Sequence, residues 1–220
     1  MNPYEIEKRS YEIIRGYLPR DIFRDEDEYE LAVRIAHSTA DIELAKSLVI
    51  HEKFIQSSLS AIEKGLPIFV DVEMARCGLI NYASSIGVEI ICAISRQDVV
   101  EEAKKEGITR SAMAVRKVLS ESEVGLVVCG NSPTFLLELI DIVENRRGFI
   151  PKSIIALPVG FVLAEDAKRK LAEKENFPVP FLTNLSPRGG TPPAVSATIF
   201  LLNKVRSKKG ISPSYGQHSV

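Results

Sequence analysis

The amino-acid sequence predicts an α/β fold in which a mostly parallel five-stranded sheet lies between two layers of helices. Between residues 67 and 205, short apolar runs typical of buried strands alternate five times with segments whose apolar residues recur at helical spacing. Crossovers between such strands are right-handed, so the strands run parallel and helices cover both faces of the sheet. A three-layer α/β/α sandwich of flavodoxin-like type is the simplest closure.

Helices are expected to precede the sheet, over residues 1–65. The first begins at Asn2-Pro3 and ends before Pro19. Its predicted buried stripe is formed by Ile6, Ile13, Ile14 and Tyr17. A charged run over residues 20–30 leads into a second helix, whose predicted core residues are Leu31, Ile35 and Ile42. A third helical stretch covers residues 51–64 and stops at a glycine.

The alternating part of the chain supplies the sheet and its covering helices. The predicted strands cover residues 67–72, 88–94, 124–129, 153–157 and 179–183. The predicted helices cover residues 73–84, 97–105, 110–119, the segment that follows Ser132-Pro133, 164–175 and 193–205. We expect residues 1–206 to form a single domain and residues 207–220, which contain few apolar side chains, to form a frayed tail.

The segment Gly130-Asn131-Ser132-Pro133 joins a buried strand to its helix and is a candidate anion site. Gly130 tolerates positive φ, Ser132 is a good N-cap, and Pro133 costs no hydrogen bond in the first helical turn. Free backbone N–H groups and the positive end of the helix dipole are expected to face the crevice. An ordinary strand-to-helix connection is the alternative on spacing alone. The other strand ends expected at this edge are Asp71, Ser95, Pro158-Val159-Gly160 and Arg188-Gly189-Gly190.

A polar stripe on the second predicted helix contains a candidate proton donor. Glu30, Arg34, His37 and Asp41 are three or four residues apart, so Arg34 and Asp41 can both reach His37 if the helix is continuous. A carboxylate one turn away orients an imidazole and raises its pKa, which suits proton transfer near neutral pH. Periodicity alone favours a solvated face of mixed charge.

Two arginines are placed to bind carboxylates or phosphates. Arg110 follows Thr109, a predicted helix cap, and Arg188 precedes two glycines that open the last helix, so both guanidinium groups can lie beside backbone N–H groups. A surface ion pair is the alternative for each arginine. The GxGxxG, GxxxxGK[ST], HExxH and GxSxG motifs are absent. These residues indicate a crevice for a polyanionic small molecule.

Composition excludes several classes of protein. The formal net charge of -1 gives no basic field for nucleic acid. The cysteines, Cys77, Cys92 and Cys129, lack the spacing of zinc sites or disulfide frameworks, and no metal site is expected. No apolar run is long enough to span a bilayer and no signal pattern opens the chain, so we expect a cytoplasmic protein without a membrane partner.

Several segments resemble the precorrin-8X methylmutase family of the cobalamin pathway, which includes the cobalt-precorrin-8 methylmutases. They occur in the family's order and cover nearly the whole chain before the tail. They are residues 6–11 (IEKRSY), 34–41 (RIAHSTAD), 71–74 (DVEM), 107–111 (GITRS), 130–134 (GNSPT), 158–162 (PVGFV) and 188–190 (RGG).

The resemblance implies a flavodoxin-like fold, a homodimer and an isomerase. The family moves a methyl group from C11 to C12 of a polycarboxylate tetrapyrrole, giving a hydrogenobyrinate-type product, without a redox cofactor or methyl donor. Cobalt enters only if the substrate carries it. The resemblance implies that His37 is the general acid. The implied substrate-binding residues are Ser10, Asp71, Met74, Thr109, Arg110, Ser111, Asn131, Ser132, Thr134, Gly160, Arg188, Gly189 and Gly190.

The chain departs from the family's pattern in three places. Leu163 replaces a glycine after the PVGFV segment, Pro187 replaces the first of two basic residues, and Thr191-Pro192-Pro193 replaces a run of small residues. These changes lie beside the proposed crevice and bear on how the substrate fits. A relative that binds corrinoids or other tetrapyrroles without isomerising them is the alternative function.

Overall fold

The computed structural model describes residues 2–174 and 176–211. The helices are α1 (Pro3–Tyr17), α2 (Glu26–Thr39), α3 (Ile42–Lys46), α4 (Phe54–Glu63), α5 (Glu73–Ser84), α6 (Gln97–Glu106), α7 (Arg110–Glu121), α8 (Pro133–Glu144), α9 (Ala164–Ala172) and α10 (Thr191–Lys208). The strands are β1 (Leu48–Ile50), β2 (Ile68–Val70), β3 (Ile90–Cys92), β4 (Leu126–Cys129), β5 (Ser153–Ala156) and β6 (Phe181–Asn184). Residues Arg20–Ile22 form a short 3-10 turn.

The described strands form one six-stranded mixed sheet in the order β1-β6-β5-β4-β2-β3. The α/β class is therefore confirmed, and the five predicted strands are all present and parallel to one another. The prediction of five strands was one short, because β1 adds an antiparallel edge beside β6. This strand has three residues between two helices, which is too short for its period to be recognised. The parallel strands reverse their order between β2 and β4, the switch point where such sheets bind ligands.

Two apolar cores lie on opposite faces of the sheet. On β2, Ile68 and Val70 face one core while Phe69 faces the other, as the two-residue period of a strand requires. The first core is completed by α2, α4, α5 and α10, and the second by α6, α7, α8 and α9. Within the described ranges, no helix is long and apolar enough to cross a membrane.

The N-terminal helices differ from the prediction in two ways. Helix α1 buries Tyr11 and Ile14 against α2, whereas Ile6, Ile13 and Tyr17 are each more than half exposed, so three of the four residues assigned to its buried stripe were wrong. The second predicted helix is not continuous. It ends at Thr39 because Ala40 takes a left-handed conformation with φ of 52°, and Ile42 belongs to α3.

The C-terminal helix is longer than predicted. It runs to Lys208, and Ile211 packs against the first core, so the first residues assigned to the tail are ordered. The helix that follows β5 ends at Ala172, three residues before its predicted end. Residue 175 and the tail from residue 212 onward lie outside the described residues.

Candidate functional site

The switch point between β2 and β4 is occupied by a carboxylate of the chain itself. Asp71 follows β2, is 1% exposed, and its Oδ2 accepts hydrogen bonds from the backbone amides of Gly130, Asn131 and Ser132 at 3.1, 2.6 and 2.9 Å. The expectation that these amides are free for an external anion was therefore wrong. Ser132 caps α8 as predicted, because its Oγ accepts from the amide of Phe135.

The environment of Asp71 works against its charge. Burial raises the pKa of this carboxyl above its ordinary value, and the three amide hydrogen bonds only partly oppose that effect. Its second oxygen, Oδ1, is buried without a hydrogen-bond partner among the described residues. Asp71 therefore holds the loop at residues 130–132 in place from beneath, rather than presenting its carboxylate to the crevice.

The starts of α7 and α8 lie side by side. Thr109 caps α7 by accepting from the amide of Ala112, and its hydroxyl lies 2.8 Å from that of Thr134, which lies 3.1 Å from the hydroxyl of Ser132. Arg110 begins α7, is exposed, and forms no ion pair within the described part of the chain. Ser111 follows it and is buried. Three linked hydroxyls and a guanidinium are thus gathered at two adjacent helix N-termini.

The glycine pair at the start of α10 passes close to β5. Gly189 has φ of 148°, and a Cβ there would clash with the carbonyl oxygen of Leu157. The amide of Gly190, with φ of 127°, donates to that carbonyl at 2.8 Å, and the amide of Gly160 donates to the carbonyl of Pro187 at 3.2 Å. These contacts place the loops after β5 and β6 against each other, where only glycine fits.

Arg188 does not point freely into solvent. Its Nη1 lies 2.5 Å from Oδ2 of Asp41, which caps α3 by accepting from the amide of Leu44. Burial raises the pKa of Asp41, but the amide of Leu44 and the Arg188 guanidinium outweigh it, so the pKa is lower than usual. The helix is not continuous to Asp41, because it breaks at Ala40, and Asp41 pairs with Arg188 rather than with His37.

His37 opens into a cavity of about 370 Å³. The imidazole is exposed and stacks on the ring of Tyr11, with ring centroids 4.8 Å apart. The lining residues are Glu7, Tyr11, Arg34, His37, Ser38, Tyr82, Pro192, Val195, Ser196 and Ile199. Burial raises the pKa of the Tyr11 hydroxyl, and the positive charge of Arg34 opposes that rise. The imidazole of His37 therefore lies in a cavity with aromatic and cationic neighbours.

The His37 cavity and the glycine loops belong to the same edge of the sheet. Helix α10 links them, since Pro192 in the first turn of α10 lines the cavity and Gly190 is the N-cap residue of the same helix. A Cβ on Gly130 would stand 2.8 Å from Cα of Thr191, so the loop held by Asp71 abuts the same helix start. Within the described ranges, no group of three or more His, Cys, Asp or Glu side chains is arranged to hold a metal ion.

Among the predicted site residues, all of which the structure describes, only His37 lines the cavity. Ser10 donates its hydroxyl to the carbonyl of Ile6 on its own helix, and Met74 is 67% exposed in the first turn of α5. Sequence reasoning missed Tyr11 as a neighbour of His37. Its presence in the first family-like segment was the signal available, but the stacking depends on how α1 packs on α2.

A larger cleft, of about 760 Å³, lies at the opposite edge, among residues that precede the strands. It contains none of the predicted site residues, and two of its charged groups, Glu123 and Lys152, pair with each other at 2.8 Å. The smaller cavity is the better candidate, because it holds an imidazole without a hydrogen-bond partner in the described part of the chain.

Comparison with known proteins points to one family. The profile of the precorrin-8X methylmutase family matches residues 5–203. The chain is 38% identical to a cobalt-precorrin-8 methylmutase of Priestia megaterium, over 90% of this chain and 86% of that protein. It is 37% identical to a protein of the same name from Methanocaldococcus jannaschii, over 93% and 95% of the two chains. A precorrin-8x methyl mutase from Thermus thermophilus superposes with a TM-score of 0.79 at 30% identity, covering 96% of this chain and all of the other.

Proposed function

The chain belongs to the precorrin-8X methylmutase family, and from this premise we propose that its His37 drives the family's methyl migration as the general acid. As a member of this family the protein is an isomerase of cobalamin biosynthesis. It moves a methyl group from C11 to C12 of precorrin-8 or its cobalt-containing form. The two curated relatives compared above are named for the cobalt-containing substrate, which makes that form the first to test.

The observation that supports this role is the cavity that holds His37. The imidazole faces open space, Tyr11 stacks against its ring, and Arg34 lines the same cavity. Donating a proton to the conjugated macrocycle beside the migrating methyl group lowers the barrier to rearrangement. The same imidazole takes the proton back after migration, so the reaction consumes neither acid nor reductant. The walls of the cavity hold the part of the ring that carries the migrating methyl group near the imidazole.

We assign the carboxylate arms of the substrate to the rim that starts α7 and α8 and to the loop that precedes α10. Arg110 is suited to a direct charged contact because it has no competing acid in the described residues. Arg188 can do the same if it exchanges Asp41 for a substrate carboxylate. The other proposed contacts are Ser10, Met74, Thr109, Ser111, Asn131, Ser132, Thr134, Gly160, Gly189 and Gly190. Asp71 is proposed to act through the loop that it holds.

We also propose that the protein works as a homodimer. Ile6, Ile13 and Tyr17 lie along one exposed side of α1, with exposed fractions of 53%, 53% and 68%. A row of apolar side chains on the outer face of a helix is suited to burial against a second copy. Ile13→Asp should convert the dimer to monomer in sedimentation analysis, whereas Lys8→Asp, on the same helix, should leave it unchanged. A monomeric unsubstituted protein would remove this part of the proposal. The cytoplasmic location inferred from the sequence stays a prediction.

A binding protein without isomerase activity is the alternative. Pro192, one of the departures from the family's pattern, lines the His37 cavity and alters its wall. The backbone tolerates this change, because proline in the first turn of a helix loses no hydrogen bond. The departure therefore affects the shape of the cavity rather than the fold.

Anaerobic turnover distinguishes the two functions. Purified protein is mixed with precorrin-8, or with cobalt-precorrin-8, and the absorbance change is followed with no methyl donor or redox cofactor present. We expect rearrangement of at least one of the two substrates at a catalytic rate. Tight binding of both without spectral change, while a known methylmutase in parallel is active, would establish the binding protein instead.

A further inference from the structure

A lysine is fully buried behind the loop at residues 186–190. Lys168, in α9, has no exposed surface, and its Nζ donates to Oδ1 of Asn184 at 3.0 Å and to the backbone carbonyl of Arg188 at 2.7 Å. No carboxylate lies within ion-pair distance of it among the described residues. A buried ammonium without an acidic partner is costly, so its position calls for a reason beyond packing.

The lysine is the inner end of a hydrogen-bonded chain that reaches the loop twice. Nδ2 of Asn184, itself fully buried, donates to Oγ of Ser186 at 2.6 Å, and that Oγ accepts the backbone amide of Arg188 at 3.3 Å. The amide and the carbonyl of Arg188 are thus both tied to one network. The side chain of Arg188 stays outside it, on the exposed face.

The backbone of this loop needs such support. Gly189 and Gly190 both have positive φ and little steric restraint, so the ordered conformation costs more entropy than at other residues. Backbone hydrogen bonds with Gly160 and Leu157 hold Pro187 and Gly190 on either side of Arg188. Apart from the lysine network, Arg188 itself has only its surface ion pair with Asp41, and exposed pairs of this kind contribute little.

We propose that Lys168 is a positioning residue, whose buried ammonium fixes the Arg188-Gly189-Gly190 loop in the shape that receives a substrate carboxylate. This inference rests on the proposed function only in assigning the carboxylate to Arg188. The hydrogen bonds from Lys168 to Asn184 and Arg188, called the clamp below, are a property of the folded protein whatever its substrate. Asp71 holds the neighbouring loop at residues 130–132 from below, so two buried groups of opposite charge type each fix one wall of the crevice.

The groups that face Lys168 agree with this role. Burial lowers the pKa of Lys168 to about 8, while Cys129 on β4 and Glu165 on α9 act in the opposite direction. Asn184 and the Arg188 carbonyl contribute acceptors but no charge. The ammonium form, which carries three donors, predominates at neutral pH.

The test uses Lys168→Met, with Lys170→Met as the matched control because Lys170 is an exposed lysine on the same helix. Exchange of the Gly160 and Gly190 amides reports the loop, since these donate to Pro187 and Leu157 across it. We expect both amides to exchange at least tenfold faster in Lys168→Met, while the amides of β4 keep their rates. We also expect KM for the tetrapyrrole to rise roughly tenfold with kcat nearly unchanged, as follows when the lost binding is equal in the ground state and the transition state.

A folded Lys168→Met protein with unchanged amide exchange would overturn the proposal. If Lys168→Met does not fold, Lys168→Gln decides, because it removes the ammonium while keeping a polar end in the buried site. Faster Gly190 exchange supports the clamp and unchanged exchange overturns it. Absence of turnover in the unsubstituted protein would count against the proposed function, while the exchange rates would still decide the clamp.

Discussion

At position 163, glycine should give a more stable protein than alanine, which reverses the usual order of stability of these two residues. Leu163 precedes α9 with φ of 64° and ψ of -15°, a left-handed conformation. The resembling family keeps a glycine here, so this chain retains the backbone shape after losing the residue that adopts it most easily. The side chain is 42% exposed, so it is partly buried and part of its apolar surface contributes to stability.

The magnitudes follow from these two features. Leu163→Ala removes a side chain that is about half buried, which should cost about 1–1.5 kcal/mol from the transfer free energy of leucine. Alanine keeps the left-handed strain of about 1–2 kcal/mol. Glycine removes that strain but adds about 0.4–1 kcal/mol of unfolded-state entropy. Leu163→Gly should therefore be more stable than Leu163→Ala by about 0.5–1 kcal/mol, the reverse of the order in a regular helix.

Urea unfolding followed by far-ultraviolet circular dichroism measures the difference, since the chain has no tryptophan to serve as a fluorescent reporter. A stability difference of this size moves the midpoint by a few tenths of a molar, on the order of the difference divided by the m-value. Ala172→Gly, at the end of α9, is the control and should be destabilising. An alanine variant at 163 more stable than the glycine variant would refute the strain argument.

Three further predictions concern charged groups. Arg110→Ala should weaken binding of the rearranged product by roughly ten- to a hundredfold at low salt, because a charged hydrogen bond contributes about 1.5–3 kcal/mol. Calorimetric titration measures this change, with Arg169→Ala as the control because it loses only surface ion pairs. Equal affinities of the two variants would show that the substrate carboxylate does not bind at Arg110. Asp41→Asn should remove a stabilisation that is present above the ordinary pKa of 3.8 and is lost as pH falls through the lower pKa of the folded state. Acid unfolding curves of Asp41→Asn and the unsubstituted protein should therefore converge below that pH. Curves that stay parallel would contradict this prediction. Since the pKa of Lys168 is lowered to about 8 from 10.5, the buried ammonium should lower the free energy of unfolding by about 3 kcal/mol below pH 8. The stability of the unsubstituted protein relative to Lys168→Met should therefore rise between about pH 8 and 10.5. A stability difference that does not change across that pH range would mean that the lysine is not buried as a charge.

Much of the fold follows from local patterns. Each of the five parallel strands is an apolar run, and the capping residues Thr109 and Ser132 act where the sequence places them. Local patterns failed where a decision depended on distant packing. The break at Ala40 occurs in a residue of high helix propensity, and the apolar residues Ile6 and Ile13 lie on the outside of α1, so periodicity could not distinguish the buried side from the exposed one.

The candidate site was predictable as an edge of the sheet but not as a set of contacts. The convergence of Asp71 and Gly130 follows from parallel topology, whereas the use of Asp71 to occupy the loop amides requires atomic distances. The partners of His37 and Lys168 are also long-range. Tyr11 reaches His37 through helix packing, and Lys168 reaches Asn184 across the interface of α9 with β6.

The role of His37 in proton transfer is tested most directly by anaerobic turnover of His37→Ala beside His51→Ala, which alters the other histidine among the described residues. We expect His37→Ala to lose about 10²- to 10⁴-fold in kcat, the usual contribution of general acid catalysis, while its affinity for the rearranged product stays within about threefold, because catalysis and uniform binding are separable. His51→Ala, whose ring packs on Phe181, should keep full activity. Turnover by His37→Ala within about tenfold of the unsubstituted rate would contradict the account, since the proton would then come from another group.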